Sequence, residues 1–262
     1  MPRFGLRRAR RPLDEEGDRV AIEASEQATS DPETREERRV NVWATPHFWW
    51  RVAIVVVVLW GLIAAERRLA YFTTQSNVIV FGYYAAALYW MVRRATTAPP
   101  APRLRGGVTV WILTTMIVSH VLLNDLANPI PGLFVEDPRE QLSERALFAV
   151  HYVVPVMVLV DWVLFGPHRV VRWRDIGWWV LYPFAYGMIF LWRALALPEV
   201  PDRFPYPFLD TDELGALGSF VAMLEVLVYI SVLSALVILL DRLAWWVGRR
   251  VGHGRTDRVD ET

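Results

Sequence analysis

The residues that could carry chemistry are hydroxyl and imidazole side chains at the ends of long apolar segments. The stretch "YFTTQSN", residues 71–77, is polar and precedes an apolar run, and His151 stands at the start of the apolar stretch "HYVVPVMVLV". The chain has no Cys, which excludes thiol catalysis and cysteine-based metal sites. A Thr hydroxyl becomes a nucleophile when an imidazole within hydrogen-bond distance accepts its proton. Thr73 and His151 are therefore the candidate pair for acyl transfer.

Six apolar segments of about membrane-spanning length must position that pair. A hydrocarbon core about 30 Å thick requires roughly 20 residues of helix. Because 54% of the 262 residues are hydrophobic and lie in blocks, we predict an all-α, polytopic membrane protein with a six-helix transmembrane domain at residues 46–243. The predicted spans are residues 47–66, 72–92, 108–124, 146–165, 176–195 and 217–240.

Both ends of the chain are predicted to be tails in the cytoplasm. Residues 1–45 combine low hydrophobicity with mixed charge, which is typical of disorder, and residues 244–262 form the C-terminal tail. Without the N-terminal tail, 12 Arg lie on the side of the termini and 6 on the other side. The positive-inside rule assigns the Arg-rich side to the cytoplasm. We expect a plasma-membrane protein, and its zero net charge argues against a nucleic-acid partner.

This topology brings polar side chains from five helices to one level near the outer surface. Residues four apart share a helix face, so Thr73 and Asn77 lie on one stripe and Thr74 lies on another. Lipid cannot satisfy polar groups, so we expect the polar faces to point into the bundle and to form a cavity open to the outside. Besides Thr73 and His151, the predicted cavity and support residues are Ser76, Asn77, His120, Asn124, Asp125, Arg193 and Glu225.

The connections on the predicted outer side are long, acidic and rich in Pro. Residues 125–145 and 198–215 are long enough to fold back over the helix ends as a lid. The inner half of the bundle offers few polar groups, and Asp161 is predicted to lie close to the inner headgroups.

Each candidate also has an ordinary structural role. Thr and Ser in membrane helices more often join neighbouring helices than act as nucleophiles, and the same role suits Asn77. An ionisable side chain within a span costs about 2.5–3.5 kcal/mol to place, so Glu225 is expected to be functional.

Two other functions remain open from the residues alone. A haem or metal site would use His120 and His151, although the chain has no second His pair with repeated spacing. A protein that binds or transports a solute or lipid would hold it with Glu225, Arg193 and Asp125. For the hydrolase we expect no metal or cofactor, and we expect membrane lipids and a lipid-like small molecule as partners.

Four stretches carry a resemblance to a known family. "YFTTQSN", "HYVVPVMVLVDWVLFGP", "YPFAY" and "PYPFLD" resemble the bacterial six-span (Pr-six-Pr) branch of the androgen-induced membrane-protein family, over residues of about 45–245. Animal members of this wider family are intramembrane threonine hydrolases that cleave fatty acid esters of hydroxy fatty acids. The resemblance implies the same activity here, with Thr73 and His151 as the catalytic Thr and His.

Overall fold

The computed structural model describes residues 40–65, 69–201 and 203–256, with side chains described as far as residue 250. These residues form helices and connections without any strand. The predicted disordered tail, residues 1–45, lies outside the described residues except for its last six. The prediction of an all-α chain is confirmed for the part that the structure describes.

Six long helices follow one another along the described chain, and short 3₁₀ turns lie before the first helix and between some of the others. Within the described residues, all of these helices except the second are long and apolar enough to cross a membrane. The long helices are α1 (Pro46–Ala64), α2 (Phe72–Arg94), α3 (Pro102–Leu123), α4 (Pro138–Leu164), α5 (Asp175–Ala196) and α6 (Thr211–Thr256). The 3₁₀ turns are Val42–Ala44, Pro131–Phe134 and Pro207–Leu209.

Helix α2 differs from the other five in composition rather than in length. Its 23 residues correspond to roughly 35 Å of helix, which is enough to cross a hydrocarbon core. It begins with the polar residues of "FTTQSN", however, and ends with Arg93 and Arg94. The described part of the chain therefore has five helices that suit a membrane on length and composition, and the sixth span stays a prediction.

Three helices extend well beyond the predicted spans, and the first of them, α3, begins at Pro102, six residues before its predicted start. Helix α4 begins at Pro138, eight residues before the predicted start, because the Asp137 carboxylate accepts the backbone N–H groups of Arg139 and Glu140 at 2.8 and 2.9 Å. Such a cap satisfies amides that have no partner within the helix. Helix α6 continues to Thr256, so the segment predicted as a C-terminal tail from residue 244 begins as helix.

Helix α3 is the centre of the bundle. It contacts α2, α4, α5 and α6, and most residues of Pro102–Ile117 are buried. Gly106 and Gly107 lie against the ring of Trp179 on α5, where an added Cβ would clash with the indole. The absence of side chains at these two positions therefore lets α5 approach the central helix closely.

A buried ion cluster joins four helices at the end of the bundle where α1 begins. The Asp161 carboxylate of α4 accepts hydrogen bonds from Arg51 Nε at 3.1 Å, Arg105 Nη2 at 2.8 Å and Tyr84 Oη at 3.0 Å. All four side chains are at most 1% exposed. Asp161 therefore lies inside the bundle, where two Arg compensate its buried charge. Its depth close to the inner headgroups stays a prediction.

Candidate functional site

Thr73 and His151 lie in contact at the opposite end of the bundle from the ion cluster. Thr73 Oγ1 is 3.3 Å from His151 Nε2, although 78 residues separate them in the sequence. Thr73 is in the first turn of α2, and His151 is in the middle of α4, 13 residues after Pro138. Both side chains are partly buried. The distance permits a hydrogen bond, and pairs of this kind commonly shorten when substrate binds.

The hydrogen bond made by His151 Nδ1 determines that Nε2 is the nitrogen that can accept a proton. His151 Nδ1 is 2.9 Å from the carbonyl oxygen of Leu147, which can only accept a hydrogen bond. In the neutral ring Nδ1 therefore carries the hydrogen, and the lone pair of Nε2 is directed at Thr73 Oγ1. The backbone thus orients this imidazole in the way that a carboxylate orients the base of a serine hydrolase.

A π-helical segment presents His151 to the Thr73 side of the bundle. Residues Ala149–Val153 are π-helical, and the α-helix resumes at Val154. Pro155, four residues after His151, has no amide hydrogen to donate to the His151 carbonyl, so the α-helical bond at this place is missing. Such π segments change the direction of side chains and are frequent at functional sites.

Asn77 connects the two helices that carry the pair. Its side chain is fully buried, and Nδ2 donates to the Thr73 carbonyl at 2.9 Å and to the Val150 carbonyl at 3.2 Å. Asn77 Oδ1 has no hydrogen-bond partner although it is buried. One amide group therefore sets the distance between the backbone of Thr73 and that of the residue before His151.

A cavity of about 490 Å³ lies beside the pair. Its walls come from the end of α1, the start of α2, the end of α3, the first half of α4 and both long connections. Asn128 belongs to the connection between α3 and α4, Glu144 lies in α4, and Tyr206 belongs to the connection between α5 and α6. Residues of both connections therefore line the cavity. Their role as a lid stays a prediction.

Tyr206 is a site residue that the sequence alone did not single out. It is only 5% exposed and lines the cavity together with Thr73 and His151. Burial raises the pKa of its phenol, while interactions with the Thr73 side chain and with the backbone of Phe72 and Thr73 lower it. The neutral phenol is thus a hydrogen-bond donor close to the candidate nucleophile. The only sequence signal for it is its position between two Pro in "PYPFLD".

The other residues predicted near the outer surface differ in whether they line the cavity. Asn124 lines the cavity, and its Nδ2 is 3.4 Å from Ser119 Oγ. His120 lies behind the wall, with Nδ1 3.2 Å from the hydroxyl of Tyr152. Ser76 is 1% exposed and is buried between helices rather than placed at the cavity. Asp125 is exposed.

Arg193 and Glu225 lie away from the cavity. Arg193 Nη2 donates to the Pro201 carbonyl at 2.5 Å, and its guanidinium lies over the Phe190 ring. Glu225 is exposed on the outer face of α6, as is Tyr229 one turn later with 67% exposure. The expectation that Glu225 points into the bundle is wrong, because Met223 and Leu227 occupy the buried face of α6 instead.

These positions bear on the two alternative functions. The solute site would need Glu225, Arg193 and Asp125 to converge, and none of the three lines the cavity. A haem iron would need free nitrogens on His120 and His151, whereas the contacts described above occupy both ring nitrogens of His151. Within the described residues, no group of three or more His, Cys, Asp or Glu is arranged to hold a metal ion.

Similarity to other proteins does not assign the chain to a family. No protein-family model, curated protein or solved structure matches it. The resemblance to the Pr-six-Pr branch thus stays a prediction that four sequence stretches carry. A function for this chain must follow from the geometry around Thr73 and His151.

Proposed function

We propose that this integral membrane protein is a threonine hydrolase of lipid esters, with Thr73 as nucleophile and His151 as general base. The observation that carries the proposal is the 3.3 Å contact between Thr73 Oγ1 and His151 Nε2, in a ring whose Nδ1 lies 2.9 Å from the Leu147 carbonyl oxygen. The adjoining cavity provides space for a substrate next to this pair. The resemblance stated above implies the same two residues, and it suggests fatty acid esters as the substrate class.

The first half of the reaction forms an acyl-enzyme. Thr73 Oγ1 attacks the ester carbonyl carbon while its proton passes to His151 Nε2. The tetrahedral intermediate then breaks the bond to the alcohol oxygen, which leaves with the proton from His151. The imidazole returns to its neutral form, and the acyl group remains on Thr73.

The second half returns the enzyme to its starting state. Water attacks the acyl-Thr73 ester, and His151 Nε2 accepts one of its protons. When the carbon–Oγ1 bond breaks, Thr73 recovers that proton and the fatty acid is released. Donors directed at the developing oxyanion lower the barrier of both halves. The Tyr206 hydroxyl is placed to act as such a donor.

The membrane placement that suits this function has six spans, both termini in the cytoplasm and the cavity at the outer face of the plasma membrane. Its support is the excess of Arg on the side of the ion cluster. The polar start and the two terminal Arg of α2 are compatible with a span whose first turn borders the cavity.

Fluorophosphonate labelling tests the proposal, because the reagent traps an activated hydroxyl by displacement of fluoride. We expect the purified protein to be labelled at Thr73. Thr73→Ala and His151→Ala should abolish labelling, Thr73→Ser should retain it, and Thr74→Ala is the matched control at the neighbouring Thr. Labelling that persists at the wild-type level in Thr73→Ala and His151→Ala contradicts the proposal.

A further inference from the structure

The cavity beside Thr73 and His151 has one charged side chain in its described walls, the carboxylate of Glu144. Glu144 is partly buried on α4, and no hydrogen bond or ion pair joins it to another residue that the structure describes. Its Oε2 lies against Gly132, where an added Cβ would be 3.3 Å from that oxygen. The negative charge therefore borders the cavity without a cation from the described protein, and it suits a ligand that carries a positive charge.

Four aromatic rings line the same cavity and favour a ligand of the same kind. Phe148 and Tyr152 stack with their centroids 5.1 Å apart on α4. Tyr71 and Tyr206 meet edge to face at 6.4 Å on the side of Thr73. The face of an aromatic ring attracts a cation, and rings grouped around one space are the usual means of holding a quaternary ammonium group.

The chain segments at this end of the bundle add to the negative potential. Residues 125–145 carry five acidic residues and two Arg, and residues 198–215 carry five acidic residues and one Arg. The connection between α1 and α2 carries one acidic residue and two Arg, so acidic residues remain in excess. A cleft surrounded by charge of one sign concentrates ligands of the opposite sign.

Glu144 lies at a defined distance from the proposed catalytic pair. It precedes His151 by seven residues on α4, which is about 10 Å of helix rise and close to two full turns. Residues with this spacing share a helix face. A single ligand can therefore place a positive group at Glu144 and another part of the molecule at Thr73.

We propose that the cavity binds an ammonium group, held by the Glu144 carboxylate and the surrounding aromatic rings. The consequence for the substrate rests on the proposed hydrolase function: the alcohol part of the ester carries the ammonium group. An alcohol part with a free carboxylate, such as a hydroxy fatty acid, is disfavoured because Glu144 repels it. The site thus differs in charge preference from what the family resemblance implies.

Binding of choline to the purified protein in a neutral detergent tests the site without any catalysis. The matched ligand is the neutral alcohol in which a quaternary carbon replaces the choline nitrogen. By calorimetry, we expect choline to bind at least about tenfold more tightly than this alcohol, and Glu144→Gln to remove most of the difference. Glu140→Gln is the control, because Glu140 is exposed on the same helix and does not line the cavity. Equal affinity for the two ligands, or unchanged choline binding in Glu144→Gln, overturns the proposal.

Tyr152→Leu tests the aromatic part of the site independently of the carboxylate. It should weaken choline binding by about fivefold and leave binding of the neutral alcohol nearly unchanged. Tyr229→Leu, at a position that is 67% exposed on α6, should affect neither ligand. An equal loss for both ligands in Tyr152→Leu would contradict recognition of the cation by the ring.

Two further measurements identify the source of the ammonium group and separate this proposal from the hydrolase. In nanodiscs, phosphatidylcholine should compete with choline if a lipid headgroup is the ligand, whereas equal binding in phosphatidylcholine and phosphatidylglycerol assigns the site to a soluble cation. An acylcholine should be hydrolysed faster than its neutral carbon isostere, and Glu144→Gln should reduce the ratio. Selective choline binding without hydrolysis of either ester overturns the hydrolase proposal and supports the ammonium site. Hydrolysis of both esters at equal rates overturns the ammonium site and supports the hydrolase.

Discussion

Asn77 illustrates how one side chain at this site fixes the position of two others. Its amide holds the Thr73 carbonyl and the Val150 carbonyl at once, so α2 and the π segment of α4 are joined one residue away from the reacting atoms. Alignment of reacting groups contributes strongly to catalysis, and a displacement of about 1 Å costs roughly 100-fold. We therefore regard Asn77 as a positioning residue for the Thr73–His151 pair.

Asn77→Leu keeps the volume of the side chain and removes both hydrogen bonds. We expect the rate of fluorophosphonate labelling to fall by about 100-fold, because the step that displaces fluoride becomes slower. The dependence of the labelling rate on pH should also change. Ser76→Ala is the control, because Ser76 is equally buried on the same helix but does not line the cavity. Equal effects of the two substitutions would show that Asn77 acts only through general packing.

The π segment of α4 is the element that turns His151 toward α2. In an uninterrupted α-helix, each residue after Ala149 would be rotated about the helix axis relative to its position here. His151 would then lose its contact with the Thr73 hydroxyl. Pro155 removes the amide that an α-helix needs at this place. A short segment of irregular helix therefore creates the pair.

Pro155→Ala restores an amide donor four residues after His151 and should favour the α-helical form. We expect at least a tenfold loss of labelling without loss of stability, since proline within a helix costs about 3 kcal/mol. Pro102→Ala, in the first turn of α3 where an amide has no helical partner, is the control and should leave labelling unchanged. Full labelling of Pro155→Ala would separate the π segment from the function.

The cavity and the buried ion cluster around Asp161 lie at opposite ends of the helix bundle. The cluster around Asp161 joins α1, α2, α3 and α4 far from the cavity, with two Arg around one carboxylate. Removal of one partner of a buried ion pair leaves charge without compensation, which is far more costly than loss of an exposed pair. We infer that this cluster secures the helix packing on which the opposite end depends.

Asp161→Asn should lower the free energy of unfolding by about 3–5 kcal/mol, because Arg51 and Arg105 would remain buried without a counter-charge. Asp212 is 62% exposed and forms an ion pair with Arg203. Asp212→Asn should therefore change the free energy of unfolding by less than about 1 kcal/mol. Denaturation in detergent, followed by circular dichroism, measures both values. Similar stability of the two variants would contradict a structural role for the cluster.

The orientation of the molecule can be tested directly because the chain has no Cys. Ala98 lies in the connection after α2, and Glu136 lies in the connection before α4. Both residues are exposed. In intact cells a membrane-impermeant maleimide should label Glu136→Cys and not Ala98→Cys, and permeabilisation should expose the second site. The reverse result would place the cavity at the cytoplasmic face.

The sequence by itself determined the helical class and the approximate helices. Hydrophobic blocks of about 20 residues leave the chain few alternatives to helices that satisfy their own backbone in lipid. Helical spacing and the resemblance also favour Thr73 over Thr74 as the catalytic Thr, which stays a prediction because both residues line the cavity. These features are local, so residue types and their spacing suffice to predict them.

Only the tertiary structure decided which polar groups meet. Regular α-helical phase placed Glu225 inside the bundle, and that position was wrong. The π segment at His151, the approach of Tyr206 from a connection and the pairing of Asp161 with Arg51 and Arg105 all depend on helix rotation and on contacts between distant residues. The direction of a helix face follows from the packing of all its neighbours, and this information is not contained in the local pattern of any one helix.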